Sequence, residues 1–172
     1  SIWGTKLKDR PIVGGTDLAE KLFAEGKCNR MIISITANMH VRKAIYERLK
    51  KTGCPLVNAV HQTAYISPSA KIGEGNIIGA FVHIGCGTSI GHNNLITAHC
   101  NIEHHNTIGS HILFGPGVMT SGNVTIDDSC SLGAGVNIEP HVMIGEAVAI
   151  ASGSTVITNI RPHTTIRREL RA

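Results

Sequence analysis

Aromatic residues are nearly missing from this 172-residue sequence: three Phe, two Tyr and one Trp. A core without large flat side chains must be filled by small and branched ones. Hydrophobic residues make up 42% of the chain and Gly alone supplies 19 positions, a balance that points away from most globular designs and towards a regular stacked architecture. The sequence also lacks any apolar run near the roughly 18 to 20 residues of a membrane span, and its opening SIWGTKLKDR carries no hydrophobic signal core. A soluble, cytoplasmic protein with no membrane span is expected. The five cysteines (Cys28, Cys54, Cys86, Cys100, Cys130) form no CxxC pair. An odd number of widely spaced thiols suits a reducing compartment better than a disulfide framework. Finally, residues 72–160 contain no Lys or Arg, although the chain has 16 of them and a net charge of +4; eleven precede residue 52, one is Lys71 and the rest are Arg161, Arg167, Arg168 and Arg171. Phosphate neutralisation dominates nucleic-acid binding, so this distribution argues against a nucleic-acid groove there.

Residues 1–60 read as alternating strands and helices. PIVGG is a short strand with a glycine exit. Thr16 can cap a helix TDLAEKLFAEG with Leu18, Leu22 and Phe23 on one face, stopping at Gly26. RMIISIT is a continuous apolar strand, and Asn38 can cap a second helix that carries Val41, Ile45 and Leu49 and ends at Gly53. CPLVNAVH supplies a third strand. This β-α-β-α-β run is the pattern of a parallel sheet with helical crossovers. With no GxGxxG after a first strand and no leading Met or βα unit, the expectation is a partial, fragmentary Rossmann-like domain.

From Tyr65 the period changes to six. Every sixth residue from Ile66 to Val156 is bulky and apolar, except Thr120, and no insertion breaks the register. The position four further on is mostly small or β-branched, as at Ala70, Val82, Cys100, Val118 and Val136, and Gly follows the bulky residue in half of the repeats. Each hexapeptide is a short strand plus a turn, too short to close a core alone, so coils must stack. Three sides per coil give 18 residues per coil and about five coils, spaced roughly 4.8 Å apart. The expected fold is mainly β, a parallel β-helix preceded by the small α/β segment. The expected organisation is 1–60, partial Rossmann-like domain; 61–160, β-helix; and 161–172, tail.

The hexapeptide run from 66 to 160 resembles the left-handed parallel β-helix of the hexapeptide-repeat acyltransferases. Together with Ile35-Thr36-Ala37-Asn38, Arg42 and VNAVHQTAYISPSAKIGEG, it resembles more narrowly the sialic-acid O-acetyltransferase and UDP-4-amino-sugar N-acetyltransferase family. The resemblance implies a homotrimer with acetyl-CoA held between adjacent β-helices, a sugar or nucleotide-sugar acceptor, and no metal. It also implies the left-handed winding, which periodicity alone does not show.

The stretch NIEHHNTIGSHILFGP at 101–116 is where the resemblance implies a catalytic histidine, at His104. Acyl transfer needs a base to take a proton from the attacking amine or hydroxyl, and neutral imidazole suits that task near pH 7. The coil arithmetic points the same way. Eighteen residues on from His104 is Gly122, on the same side one coil away, where a glycine lets the thioester approach and offers its N–H to the developing oxyanion. The resemblance matches Gly122 to the family's oxyanion donor and acetyl-CoA contact. It places an orienting carboxylate directly after the histidine, where this chain has His105; Glu103 alternates to the opposite face along a strand. It matches Leu113 to a histidine near acetyl-CoA, with His111 two residues away. Ala134 and Ser152 match the pantetheine path, and Thr36 and Asn38 match the nucleotide-sugar side, though Asn38 equally reads as a helix cap. Arg161, Arg167 and Arg168 are the cations nearest the CoA phosphates, and TTIRRELRA stands in place of a GNPA-like terminal loop. His83, His92, His99, His111 and His141 read as solvated surface residues, and Cys86, one coil before His104, as a small filler.

Two other functions compete. One is a metal enzyme resembling the γ-class carbonic anhydrases, with His99 and His104 completed by His83, His105 or His111. The other is a catalytically decayed β-helix scaffold that keeps the fold and loses acetyl-CoA affinity.

Overall fold

The computed structural model describes residues 4–167. Two-residue strands repeat along three faces of a prism, paired in parallel at a spacing of 18 up to the last coil. The first face stacks Tyr65–Ile66, His83–Ile84, Asn101–Ile102, Met119–Thr120, Asn137–Ile138 and Thr155–Val156. The second runs from Lys71–Ile72 through Ser89–Ile90, Thr107–Ile108 and Thr125–Ile126 to Met143–Ile144. The third begins at Ala59–Val60 and ends at Thr165–Ile166. The result is a parallel β-solenoid of about six turns, one more than the period alone suggests. The extra turn comes from both ends: Val60 enters the ladder before the hexapeptides begin, and the last coil is two residues short, since Ala149 pairs with Thr165 and Ile144 bridges Ile160.

The period-six residues fill the interior. Ile84, Ile96, Ile102, Phe114 and Leu132 are wholly buried, with Val118, Val124 and Val136 at the intervening positions. Each fully buried aliphatic side chain contributes roughly 1.5 to 3 kcal/mol. Strands of two residues cannot hold a sheet by their few ladder bonds, so this column of apolar side chains sets the register.

The corners reveal what the glycines do. The residue three beyond each bulky one from Ile72 to Ile150 takes a positive φ, at Gly87, Asn93, His99, His105, His111, Asn123 and His141 among others. Asn and His are among the non-glycine types that tolerate this conformation. Glycines directly after the bulky residue serve another purpose than corner freedom. A Cβ on Gly85 would lie 2.8 Å from His104 N and one on Gly115 2.6 Å from Ala134 N, so these glycines exist because the next coil's backbone passes too close for a side chain.

Buried asparagines form a second column that the hydropathy pattern does not reveal. Asn58 Oδ1 accepts from Asn76 N, Asn76 Oδ1 from Asn94 N, and Asn94 Oδ1 from Ile112 N, each at 2.8 Å. Asn76 and Asn94 have no exposed surface, and each amide also donates to a carbonyl 15 residues on. The ladder satisfies corner N–H groups that would otherwise cost about 1 to 3 kcal/mol each when buried and unpaired.

Before the solenoid, the described residues depart from the expected three-stranded sheet. Lys6–Leu7 and Arg10–Pro11 form a small antiparallel pair, and the RMIISIT run makes one parallel bridge, Met31 to Leu56. The sequence pattern reports burial rather than pairing here: Ile33 packs with Ile45, Tyr46, Leu49 and Leu56, and Met31 and Ile35 flank that cluster. Helix α1 spans Ala19–Ala24 after a 3-10 turn at Thr16–Leu18, with Gly15 rather than Thr16 at the cap position of that turn. Helix α2 spans Met39–Lys51, and Asn38 caps it by accepting from Val41 N at 3.0 Å. No described helix is long and apolar enough to cross a membrane.

Arg42, on α2, locks this segment onto the solenoid. Its side chain is fully buried and donates to the carbonyls of Ile33, Ile35 (3.3 Å), Asn93 (3.3 Å) and Gly75 (2.8 Å). Burial pushes its pKa down to about 10, so it remains a cation at neutral pH, bound by carbonyl dipoles.

Candidate active site

His104 sits on the corner between the first and second faces, in the turn between Asn101–Ile102 and Thr107–Ile108. Side chains at the equivalent position of another corner lean back onto the preceding coil. On the corner between the second and third faces, His92 Nδ1 accepts from Glu74 N, Ser110 Oγ from His92 N, and Asp128 Oδ1 from Ser110 N. His104 breaks this habit. Its ring lies over the following coil, where a Cβ on Gly122 would stand 2.6 Å from Nε2 and 2.9 Å from Nδ1. The 18-residue arithmetic therefore brings His104 and Gly122 together, and only glycine leaves room for the ring. Gly122 N–H donates to no other backbone or side-chain group among the described residues, and residue 140 one coil further on is Pro.

The corner register also separates His104 from its neighbours. His99, His105, His111, His141 and His163 all occupy the positive-φ position, where the backbone selects for them; His104 does not. His105, the adjacent residue, turns its ring so that Nδ1 stands 3.1 Å from His104 Nδ1, with the two planes at 77°. Glu103 is not the orienting carboxylate: it accepts from Asn101 Nδ2 at 3.0 Å.

A polar network beneath this turn was not legible as such. Thr120, the one polar residue in the bulky column, accepts from Asn106 Nδ2 at 2.7 Å. Asn106 and Thr88 both donate to the carbonyl of Glu103, at 2.9 and 2.8 Å, so the peptide leading into His104 is anchored from inside. The available signal was the 18-residue spacing of Thr88 and Asn106 in a row otherwise apolar.

Thr36, Asn38 and Leu113 meet in one cavity of about 380 Å³, with His111, Lys43 and Ser129 also on its wall. Lys43 reaches across to Ser129 Oγ at 3.1 Å. His111 pairs through Nδ1 with Asn93 Nδ2 at 2.9 Å and packs edge-on against Tyr46. It is therefore no solvated surface residue. Burial, seconded by the Lys43 charge, holds its pKa below the ordinary imidazole value. Ser152 lies elsewhere, in an open groove of about 510 Å³ with Gly133, Ala151, Thr165 and Arg167. Ala134 occupies the same corner as Ser152, between the third and first faces. Arg168 and Arg171 lie outside the described residues.

The expected site residues thus fall into three groups on three parts of the prism: His104, His105 and Gly122; Thr36, Asn38 and Leu113; Ala134 and Ser152. The histidines weighed for a metal site are equally scattered. His99 stacks on Phe81 at one corner, His104 stands at the second and His111 at the third, and no three potential ligands group among the described residues.

No protein-family model matches the sequence, and no curated protein sequence does. Solved structures do match. PerB from Caulobacter crescentus, in complex with CoA and GDP-perosamine, superposes with a TM-score of 0.86 at 26% identity over 92% of this chain and 76% of that one. A point mutant of the GDP-perosamine N-acetyltransferase from the same organism gives 0.86 at 25% identity over 94% and 77%. The acetyltransferase domain of PglB from Neisseria gonorrhoeae gives 0.85 at 22%, covering 93% and 77%, a likeness of fold. The chain has the architecture of the hexapeptide-repeat sugar acetyltransferases. It is an acetyltransferase.

Proposed function

We propose that this chain transfers an acetyl group from acetyl-CoA to an amino group of a nucleotide-linked sugar, with His104 as general base, in a homotrimer whose sites lie between copies. The observation that carries this reading is the His104 ring seated over Gly122, which puts a base and a backbone donor side by side at an open corner. CoA and GDP-perosamine in the PerB complex favour the same donor and acceptor classes.

The chemistry then runs as follows. Neutral His104 takes a proton from the acceptor amine as its nitrogen attacks the thioester carbonyl. Gly122 N–H receives the negative charge that develops on the carbonyl oxygen. Collapse of the tetrahedral adduct breaks the C–S bond, and the departing CoA thiolate takes the proton back from His104. The three separated groups of residues support an arrangement in which one copy supplies the His104 corner and its neighbour the Ala134 and Ser152 groove for pantetheine, with Arg161 and Arg167 towards the phosphates. Thr36 faces the acceptor side and Leu113 the acetyl-CoA side of the cavity they share, with Asn38 holding α2 in place. The left-handed winding, the role of residues 1–60 as the nucleotide-sugar module and a cytoplasmic location belong to the same reading.

Calorimetric titration of acetyl-CoA, with CoA as control, tests the donor site without knowledge of the acceptor. Saturable binding of one acetyl-CoA per chain, with the protein sedimenting as a trimer, is expected. A folded protein with no affinity for either thioester or thiol would favour the decayed scaffold.

A further inference from the structure

We propose that His105 is the positioning residue for His104, and that the two imidazoles share one proton across their Nδ1 atoms. This rests on the acetyl-transfer reading above. The 3.1 Å separation of the two Nδ1 atoms is a hydrogen-bond distance. Neither atom can serve the other unless one carries a proton and the other a lone pair, so the tautomers of the two rings are linked.

The geometry fixes which ring can adjust. His105 is held by its backbone: its φ is 57°, its N–H donates to Cys86 O at 2.8 Å, and its ring lies over Gly87, whose Cβ would fall 2.7 Å from Cδ2 and 3.0 Å from Nε2. His104 has no other hydrogen bond to its ring among the described residues. The residues stacked with the pair are Cys86 and Gly87 on the preceding coil and Gly122 and Asn123 on the following one. On the side of the first face stand Glu103, occupied with Asn101, and Glu139 in the same hollow. Among the described residues no carboxylate bonds to either ring.

When His105 carries its proton on Nε2, its bare Nδ1 accepts from His104 Nδ1–H, and His104 Nε2 is the free base. When the bridging proton belongs to His105 instead, His104 must carry its own on Nε2 and cannot act. His105 thereby selects the working tautomer, and it stabilises the imidazolium that forms on His104 during reaction, because that cation donates to it. One proton added to the pair occupies Nε2 of His104 wherever the bridging proton lies, and that ring then cannot act as the base.

The test combines tautomer and turnover in the full-length protein. Long-range ¹H–¹⁵N spectra of the histidine rings are expected to show His104 protonated on Nδ1 and His105 bare there, and His105→Phe to return His104 to the Nε2–H form. With acetyl-CoA and GDP-perosamine, His105→Phe is expected to lower kcat by about tenfold to a hundredfold, part of the roughly 10²- to 10⁴-fold a general base supplies. KM for acetyl-CoA should hold. His105→Asp, a residue that tolerates positive φ, restores an acceptor for Nδ1–H and should recover the rate. A bare Nδ1 on His104 in the wild type, or an unchanged kcat in His105→Phe, overturns the pairing. Should no acceptor be acetylated, the functional reading fails, while the ring spectra still decide the pair.

Discussion

His104→Ala is expected to lower the rate of acetyl transfer by about 10³-fold, within the range that a positioned general base contributes, while leaving folding and acetyl-CoA binding intact. The ring is exposed at a corner and makes its one ring hydrogen bond to its neighbour, so deleting it removes no core contact. The turn that carries it is anchored from below by Thr88, Asn106 and Thr120 through the Glu103 carbonyl and the Asn106 amide, and these bonds survive the substitution. The measurement is release of free CoA thiol under saturating acetyl-CoA, alongside thermal unfolding. A variant with undiminished release would remove His104 from the chemistry; a large drop in melting temperature would recast it as a structural residue.

Gly122→Ala is expected to cost about 10²-fold in kcat, a magnitude that a misplacement near 1 Å produces. The added Cβ falls inside the His104 ring, 2.6 Å from Nε2, closer than such atoms approach. Something must move, and the exposed ring moves more readily than the buried coil. Gly122 has no positive φ, so alanine fits the backbone there and the fold should remain. The N–H is also retained, which separates displacement of the base from loss of the oxyanion donor. The expected signature is a fall in kcat with little change in melting temperature or acetyl-CoA affinity. Wild-type kcat would show that His104 can work from another position and that the pairing with Gly122 is incidental.

These two residues show what periodicity makes legible. A strict repeat of six fixes three faces and an 18-residue coil, so the meeting of His104 and Gly122 follows from counting. Counting does not give the lean of a side chain. That His104 turns to the following coil, against the habit of His92, Ser110 and Asp128, is set by the absence of a side chain at 122 and by His105 beside it. The amino-terminal segment misled for a related reason. An apolar run such as RMIISIT announces that alternate side chains are buried, and Ile33 is, but its backbone partners lie far away in sequence, and among the described residues Met31 alone is bridged, exchanging hydrogen bonds with Pro55 and Val57. Arg42 was visible as a residue and invisible as a clamp, because its four carbonyl acceptors come from segments that only the folded chain assembles. The histidine-rich look of 99–111 has a plain cause as well: His99, His105 and His111 occupy the equivalent position on three successive corners, where positive φ favours few residue types, so their spacing reports backbone geometry before chemistry.

The most direct measurement is mass spectrometry of the product formed from acetyl-CoA and GDP-perosamine, with a panel of other nucleotide-linked amino sugars beside it. A gain of one acetyl group on the sugar amine, matched by free CoA and abolished in His104→Ala, is the expected result. Binding of acetyl-CoA with no acetylated sugar across the panel, or equal yields from wild type and His104→Ala, would contradict it.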